Sequence, residues 1–280
     1  MKRTFSRPIK RVVVKLGSSQ IADSRFKPKL GQLSALAKQV KALRRRGIGV
    51  TFVSSGAIVL GMGLLEENKR PTDLATLQAR AAIGQAALMR LWGEVLKKVG
   101  LKCAQVLLSW DDFDDRVRFL NARHTMEAIL KEGVVPIINE NDTTSTEEIK
   151  FGDNDKLSAL VASLIHADLL VILSDVKGVY DQDETVLEGE YKEITPLIQT
   201  VSAGTANIQV ARGGMKTKIE AVKIATHAGT PCVITDGSIK DVLVRLVDKE
   251  RIGTCFIEKK DQLLDVDSEH EFIRSHFKNS

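Results

Sequence analysis

Lys15 is followed at once by Leu16-Gly17-Ser18-Ser19, a cation and then a glycine turn whose backbone amides can face a phosphate. Far along the chain, Arg212-Gly213-Gly214-Met215-Lys216-Thr217-Lys218 sets paired glycines and two lysines where a helix should open, a second cradle for an anion. Between them Ser54-Ser55-Gly56-Ala57 makes another small-residue turn, open to close approach of a ligand. Taken singly, the turns after Lys15 and at Ser54 are better explained as ordinary tight turns with a solvated lysine. The sequence contains no Walker A loop, G-x-x-x-x-G-K-[S/T], and no G-x-G-x-x-G dinucleotide pattern.

Two polar clusters complement these turns. One is Ile138-Asn139-Glu140-Asn141-Asp142-Thr143; the other is Phe151-Gly152-Asp153-Asn154-Asp155. Asp155 alone could be a helix N-cap, where a carboxylate satisfies free amides and favours the positive helix end. Carboxamides and carboxylates in both clusters together suit the ammonium and carboxylate of an amino acid. Ser174-Asp175 adds small and acidic groups where a nucleotide could sit. His124, His166, His227, His270 and His276 show no metal-like or catalytic spacing. The acidic run from Asp111 to Asp115 reads as a helix start. The apolar pattern from Leu77 to Trp92 reads as core or subunit interface rather than as a ligand pocket.

The elements that must hold these groups are legible from periodicity. Short β-branched runs predict strands over residues 12–16, 48–53, 103–108, 134–138, 169–173, 231–235 and 254–257. Apolar residues every three or four positions predict helices over 30–46, 74–99, 116–131, 156–166 and 215–227. This alternation implies an α/β fold, a three-layer α/β/α sandwich with a mostly parallel central sheet. Ligands of such sheets bind beyond the carboxyl ends of the strands, where the polar clusters fall. A division near residue 167 would give two lobes, 1–167 and 168–257, followed by a charged tail over 258–280 read as a frayed end or an oligomer contact.

Composition narrows the class. With 43% apolar residues in 280, the chain can bury a core without disulfides. Cys103, Cys232 and Cys255 lie far apart beside apolar runs, as reduced buried thiols would. Lysine and arginine (41) exceed aspartate and glutamate (36) by 5, too mild an excess to call for a nucleic-acid partner. No run suits a signal peptide or a membrane span, so a cytoplasmic location is expected.

These segments together resemble the amino acid kinase family over about residues 12–257. Val13-Val14-Lys15-Leu16-Gly17-Ser18-Ser19, Ser54-Ser55-Gly56-Ala57 and the glycine pair running to Lys218 are similar to segments found broadly in that family. Asp115 to Arg123 (DRVRFLNAR), Ile138 to Asp142 (INEND) and Gly152 to Asp155 (GDND) resemble more closely the members that phosphorylate the side-chain carboxylate of glutamate, the first step of proline biosynthesis.

The resemblance implies that Lys15 and Lys218 contact the transferring phosphoryl group and that Asp155 holds them. It implies glutamate binding by Ser55, Asp142 and Asn154, with Asn139 and Asp153 nearby. It implies an ATP site formed by Lys15, Gly17, Ser174, Asp175, Arg212, Gly213, Gly214, Met215, Lys216, Thr217 and Lys218. Mg²⁺ would accompany ATP, with protein ligands unspecified. Proline as feedback inhibitor, a glutamyl-phosphate reductase as pathway partner and a homo-oligomer, dimer or tetramer, are further implications. Ser174 stands where threonine is expected, and Arg212 where a smaller residue is usual. Many members also carry a carboxy-terminal PUA domain, for which the sequence leaves no room after residue 257. Rival readings are a kinase of the same fold acting on aspartate, N-acetylglutamate or UMP, and a non-catalytic sensor of ATP or an amino acid.

Overall fold

The computed structural model describes residues 2–144, 154–179, 189–191, 209–258, 270–271 and 274. Its elements run β1 (Arg11–Leu16), α1 (Ser18–Ile21), α2 (Leu30–Arg45), β2 (Gly49–Ser54), α3 (Ala57–Leu64), α4 (Leu74–Lys98), β3 (Cys103–Leu108), α5 (Asp111–Asp114), α6 (Arg116–Lys131) and β4 (Val135–Glu140). There follow α7 (Asn154–Leu164), β5 (Leu169–Ser174), β6 (Gly189–Tyr191), α8 (Gln209–His227), β7 (Cys232–Asp236), α9 (Val242–Val247) and β8 (Thr254–Phe256).

The strands form one sheet in the order β3-β4-β2-β1-β5-β7-β8-β6, parallel except for the β7–β8 pair. The seven predicted strands all form; β6, which pairs with β8, is additional. From β1 the chain moves outward through β2 to β3 and β4, then returns to pair β5 on the other flank. The carboxyl ends of β1, β2, β4 and β5 therefore surround the switch point of the sheet, where a crevice is expected. The division near residue 167 falls between α7 and β5, and the sheet is continuous across it.

Strand alternation sorts side chains into two cores. Val12, Val14 and Leu16 join Val50, Phe52 and Val171 beneath α2, α4 and α9. Val13, Val53, Ile138, Leu170 and Ile172 face the opposite way, beneath α6, α7 and α8. Helices thus cover both faces, the predicted three-layer sandwich. Phe52 and Trp92 stack with ring centroids 4.5 Å apart, and the Trp92 indole donates to Ser54 Oγ at 3.2 Å. Each such buried ring contributes about 1.5–3 kcal/mol, and the pair fastens α4 to the end of β2.

Helices α3 and α4 touch backbone to backbone. A Cβ on Gly84 would lie 1.7 Å from the Ala57 carbonyl oxygen, and one on Gly61 would lie 2.0 Å from that of Arg80. Gly84→Ala must separate the two helices, and a destabilisation of about 1–3 kcal/mol is expected in urea unfolding. A change under about 0.5 kcal/mol would mean the contact yields freely.

Three readings need revision. Helix α8 begins at Gln209, so Gly213 and Gly214 lie inside it instead of opening it. Glycine inside a helix costs only about 1 kcal/mol, which packing of the apolar face of α8 against α7 offsets. Helix α7 starts at Asn154, so Asp155 sits within the first turn rather than ahead of it. In the tail, His270 is buried, its Nε2 donating to the Asp114 carbonyl at 3.0 Å, with its ring 5.4 Å from Phe119. Arg274 pairs with Asp114 at 3.1 Å. These tail residues dock on α5 and α6 instead of fraying. The acidic run does start a helix, since Asp115 accepts from the Arg118 amide at 2.9 Å. All three cysteines are free; Cys232 and Cys255 are buried, Cys103 partly. Burial pushes the Cys232 thiol well up, with Cys255 and Asp155 adding to it.

Candidate active site

Lys15 is the penultimate residue of β1 and alternates onto the same face as Val13. That face is covered by α7 and α8, and there the Lys15 ammonium meets Asp155 Oδ1 at 2.6 Å. Lys218, from α8, reaches Asp155 Oδ2 at 3.4 Å. Asp155 is fully buried, and the lysine side chains are 5% and 11% exposed. Thr217 Oγ1 lies 3.0 Å from Asp155 Oδ2 and 3.1 Å from the Gly214 carbonyl oxygen. Lys218 Nζ also donates to that carbonyl at 2.9 Å. An ion pair between Lys156 and Glu220, 2.8 Å, ties α7 to α8 beside this cluster.

Two ammonium groups share one buried carboxylate, which concentrates positive charge in a poorly hydrated place. Such a site attracts an anion more strongly than the same charges would in water. A glycine stands beside each cation. A Cβ on Gly17 would stand 4.0 Å from Lys15 Nζ, and one on Gly214 would stand 3.5 Å from Lys218 Nζ. Neither glycine carries a side chain to crowd the ammonium beside it.

The second cluster begins one residue earlier. Asn154 Nδ2 donates to Ser55 Oγ at 2.7 Å and to Asn139 Oδ1 at 2.9 Å. Asn139 Nδ2 in turn donates to Gln85 Oε1 at 3.0 Å. Ser55, Asn139 and Asn154 border a cavity of about 240 Å³, also lined by Ser18, Gly56, Arg70, Gln78, Glu140 and Asp142. Gly56 has φ 110°, and a Cβ there would meet Ile21 at 2.8 Å, so the turn after β2 admits only glycine without rearrangement. Because Asn154 and Asp155 are adjacent in the first turn of α7, the amide-lined cavity and the lysine pair share a border. The positive end of α7 points at that border.

The predicted site residues are thus largely brought together: Lys15, Asp155, Gly214, Thr217 and Lys218 in one cluster, Ser55, Asn139, Asp142 and Asn154 in the other. Ser174 and Asp175 stand at the end of β5, with Ser174 Oγ donating to Asp175 at 3.1 Å. Met215 packs toward the core and Lys216 is exposed. Arg212 and Gly213 contribute helical backbone. Asp153 lies outside the described residues. Four contributors escaped the sequence reading: Gln20, Arg70, Gln78 and Gln85. Gln20 is buried and donates to the Ser174 carbonyl at 3.0 Å, joining the turn after β1 to the end of β5. Gln78 and Gln85 correct the reading of 77–92 as core or interface alone. They are polar residues seven apart in an otherwise apolar stripe, and that interruption was the available signal.

Comparison with known proteins bears on what this geometry serves. The amino acid kinase family profile matches residues 10–236. The chain belongs to the amino acid kinase family. It is 46% identical over 255 residues to the glutamate 5-kinase of Burkholderia cenocepacia, covering 89% of this chain and 68% of that one. It is 44% identical over 254 residues to the glutamate 5-kinase of Nitrobacter winogradskyi, covering 89% and 67%. For the glutamate 5-kinase of Caldanaerobacter subterraneus the identity is 42% over 261 residues, covering 90% and 69%. The chain therefore spans a little over two thirds of the length of these relatives. Among solved structures, the carbamate kinase of Giardia lamblia superposes with a TM-score of 0.63 at 16% identity, covering 89% of this family member and 99% of that chain. At that identity the likeness is one of fold. No helix among the described residues is long and apolar enough to cross a membrane.

Proposed function

We propose that this chain transfers the γ-phosphoryl group of ATP to the side-chain carboxylate of L-glutamate, giving L-glutamyl 5-phosphate and ADP as the first step of proline biosynthesis. The observation that carries the reading is the adjacency of Asn154 and Asp155, which sets an amino-acid-sized polar cavity against a lysine pair suited to a phosphoryl group. Residues 1–167 then serve mainly glutamate and residues 168–257 mainly the nucleotide.

A side-chain carboxylate with a pKa of about 4.3 is ionised at neutral pH, so no general base is required. One of its oxygens attacks the γ-phosphorus, and the bond from that phosphorus to the bridging oxygen of ADP breaks. No proton changes hands. Two anions must meet, so the task of the protein is positive charge and alignment. Lys15 and Lys218 face the transferring group, and Asp155 holds both ammoniums in place. Ser55, Asn139, Asp142 and Asn154 seat glutamate, with Asp153 as a further neighbour. The ATP phosphates lie along Gly17 and the segment from Arg212 to Lys218, and the rest of the nucleotide lies near Ser174 and Asp175. Mg²⁺ accompanying ATP would supply further counter-charge. Feedback by proline in competition with glutamate, uptake of the labile product by glutamyl-phosphate reductase, a cytoplasmic location and a homo-oligomer of two or four copies belong to the same reading.

The test is glutamate-dependent ADP release with hydroxylamine present to trap γ-glutamyl hydroxamate, run beside aspartate, N-acetylglutamate and UMP. Hydroxamate from glutamate above the others is expected. ADP release indifferent to glutamate, or a better rate with another acceptor, refutes the assignment.

Asp142→Ala and Asn154→Ala should each raise the KM for glutamate about 10-fold or more while that for ATP stays within a few-fold. Hydrogen bonds to a charged ligand are worth about 1.5–3 kcal/mol each. Equal rises in both constants would make these residues supports of the fold.

A further inference from the structure

We infer that Gln85 is a positioning residue that sets the direction of a chain of amides, so that Asn154 presents an oxygen to the α-ammonium of the amino-acid substrate. This rests on the proposed function. Side-chain amides can turn end for end, and what fixes them is the network around them.

Here the order runs outward from α4. Gln85 Oε1 accepts from Asn139 Nδ2 at 3.0 Å, which leaves Asn139 Oδ1 as the group facing Asn154. That oxygen accepts from Asn154 Nδ2 at 2.9 Å, and the same Nδ2 donates to Ser55 Oγ at 2.7 Å. Both donors of Asn154 are thereby used inside the protein. Its Oδ1 remains: a buried acceptor with no hydrogen-bond partner among the described residues, on a side chain that borders the cavity. A buried acceptor left without a donor costs stability, and an ammonium ion in the cavity removes that cost. Glu140 and Asp142 line the same cavity and add negative charge for the same cation.

Gln85 occupies the far end of this relay and does not line the cavity. Its own Nε2 is buried without a partner among the described residues. With Gln85 Oε1 accepting from Asn139, turning either asparagine alone would bring NH₂ against NH₂ or oxygen against oxygen. Without it, Asn139 and Asn154 can turn together, and Asn154 then offers a donor to a cation. The loss would fall on recognition of the ammonium and spare the carboxylate end, where Lys15 and Lys218 act.

The test compares binding of L-glutamate with binding of glutarate, which keeps both carboxylates and lacks the ammonium, by titration calorimetry. The proteins are wild type, Gln85→Met and Gln85→Glu. Gln85→Met keeps the length and removes the acceptor; its preference for glutamate over glutarate should fall about tenfold, with ATP affinity and melting temperature near wild type. Gln85→Glu keeps an acceptor toward Asn139 and should retain the preference. A Gln85→Met protein that weakens both ligands equally, or keeps the wild-type ratio, overturns the positioning role. So does a Gln85→Glu protein that loses the ratio as Gln85→Met does. A wild type that does not bind glutamate overturns the proposed function, and the positioning role with it, which the ratio among variants keeps separate.

Discussion

Lys218→Ala is expected to lower kcat about 10²–10³-fold or more while ATP affinity changes only a few-fold. The ammonium lies 3.4 Å from Asp155 and 2.9 Å from the Gly214 carbonyl, held by groups that leave it directed toward the space beside Gly214. A cation fixed in advance, in a place with little water, stabilises charge that spreads onto the phosphoryl oxygens during transfer more than charge already present on bound ATP. Truncation then appears in kcat and spares binding. Lys218→Arg should not restore the rate, because a planar guanidinium cannot take the place of a compact ammonium held between Asp155 and the Gly214 carbonyl. Single-turnover rates and equilibrium ATP binding for both variants check this. Near-normal turnover in Lys218→Ala would remove the residue from the mechanism, and a matching loss of ATP affinity would make it a binding contact.

Asp155→Asn should be the most damaging exchange for stability as well as for activity. The carboxylate is fully buried between two ammoniums that are themselves 5% and 11% exposed. Removing its charge leaves two like charges close together with little water to screen them, and breaking a buried pair in this way costs about 3–5 kcal/mol. Urea unfolding of the variant and of wild type gives the difference. Inorganic phosphate or ATP should restore part of the variant's stability, since an anion that binds only the folded state raises stability by mass action. A loss under about 1 kcal/mol, with no response to phosphate, would show that the lysines swing out to solvent and that Asp155 does not organise them.

Much of the framework follows from local pattern. Runs such as Val12-Val13-Val14 and Leu169 to Leu173 are too short and too β-branched for helices, and their positions agree with β1 and β5 to within a residue. Stripes at helical spacing place α2, α4 and α6 almost to their ends. The chemistry-bearing residues were legible for a related reason: Lys15, Ser55 and Asn139 stand at or beside carboxyl ends of predicted strands, where a parallel sheet exposes its ligand edge. Helix boundaries near glycine were less so. Gly213 and Gly214 looked like an opening of α8, but a helix tolerates them once its other face is packed, and packing lies beyond the reach of propensity.

What the sequence determined by itself, then, is the alternation of elements, the two faces of the sheet and the residue types available at its ligand edge, because these depend on periods of two and of about three and a half along one chain. Which of those residues meet was decided only by tertiary structure. Lys15, Asp155 and Lys218 come from β1, α7 and α8, and no spacing in the chain relates them; they converge because β1 lies at the centre of the sheet and two later helices cover one of its faces. The same holds for Gln85, an ordinary polar residue of α4 by sequence. It reaches Asn139 because Gly61 and Gly84 let α3 and α4 close to backbone contact while the Phe52–Trp92 stack fixes α4 against β2. Contacts of this kind depend on three-dimensional close packing, in which a displacement of one methyl group is felt.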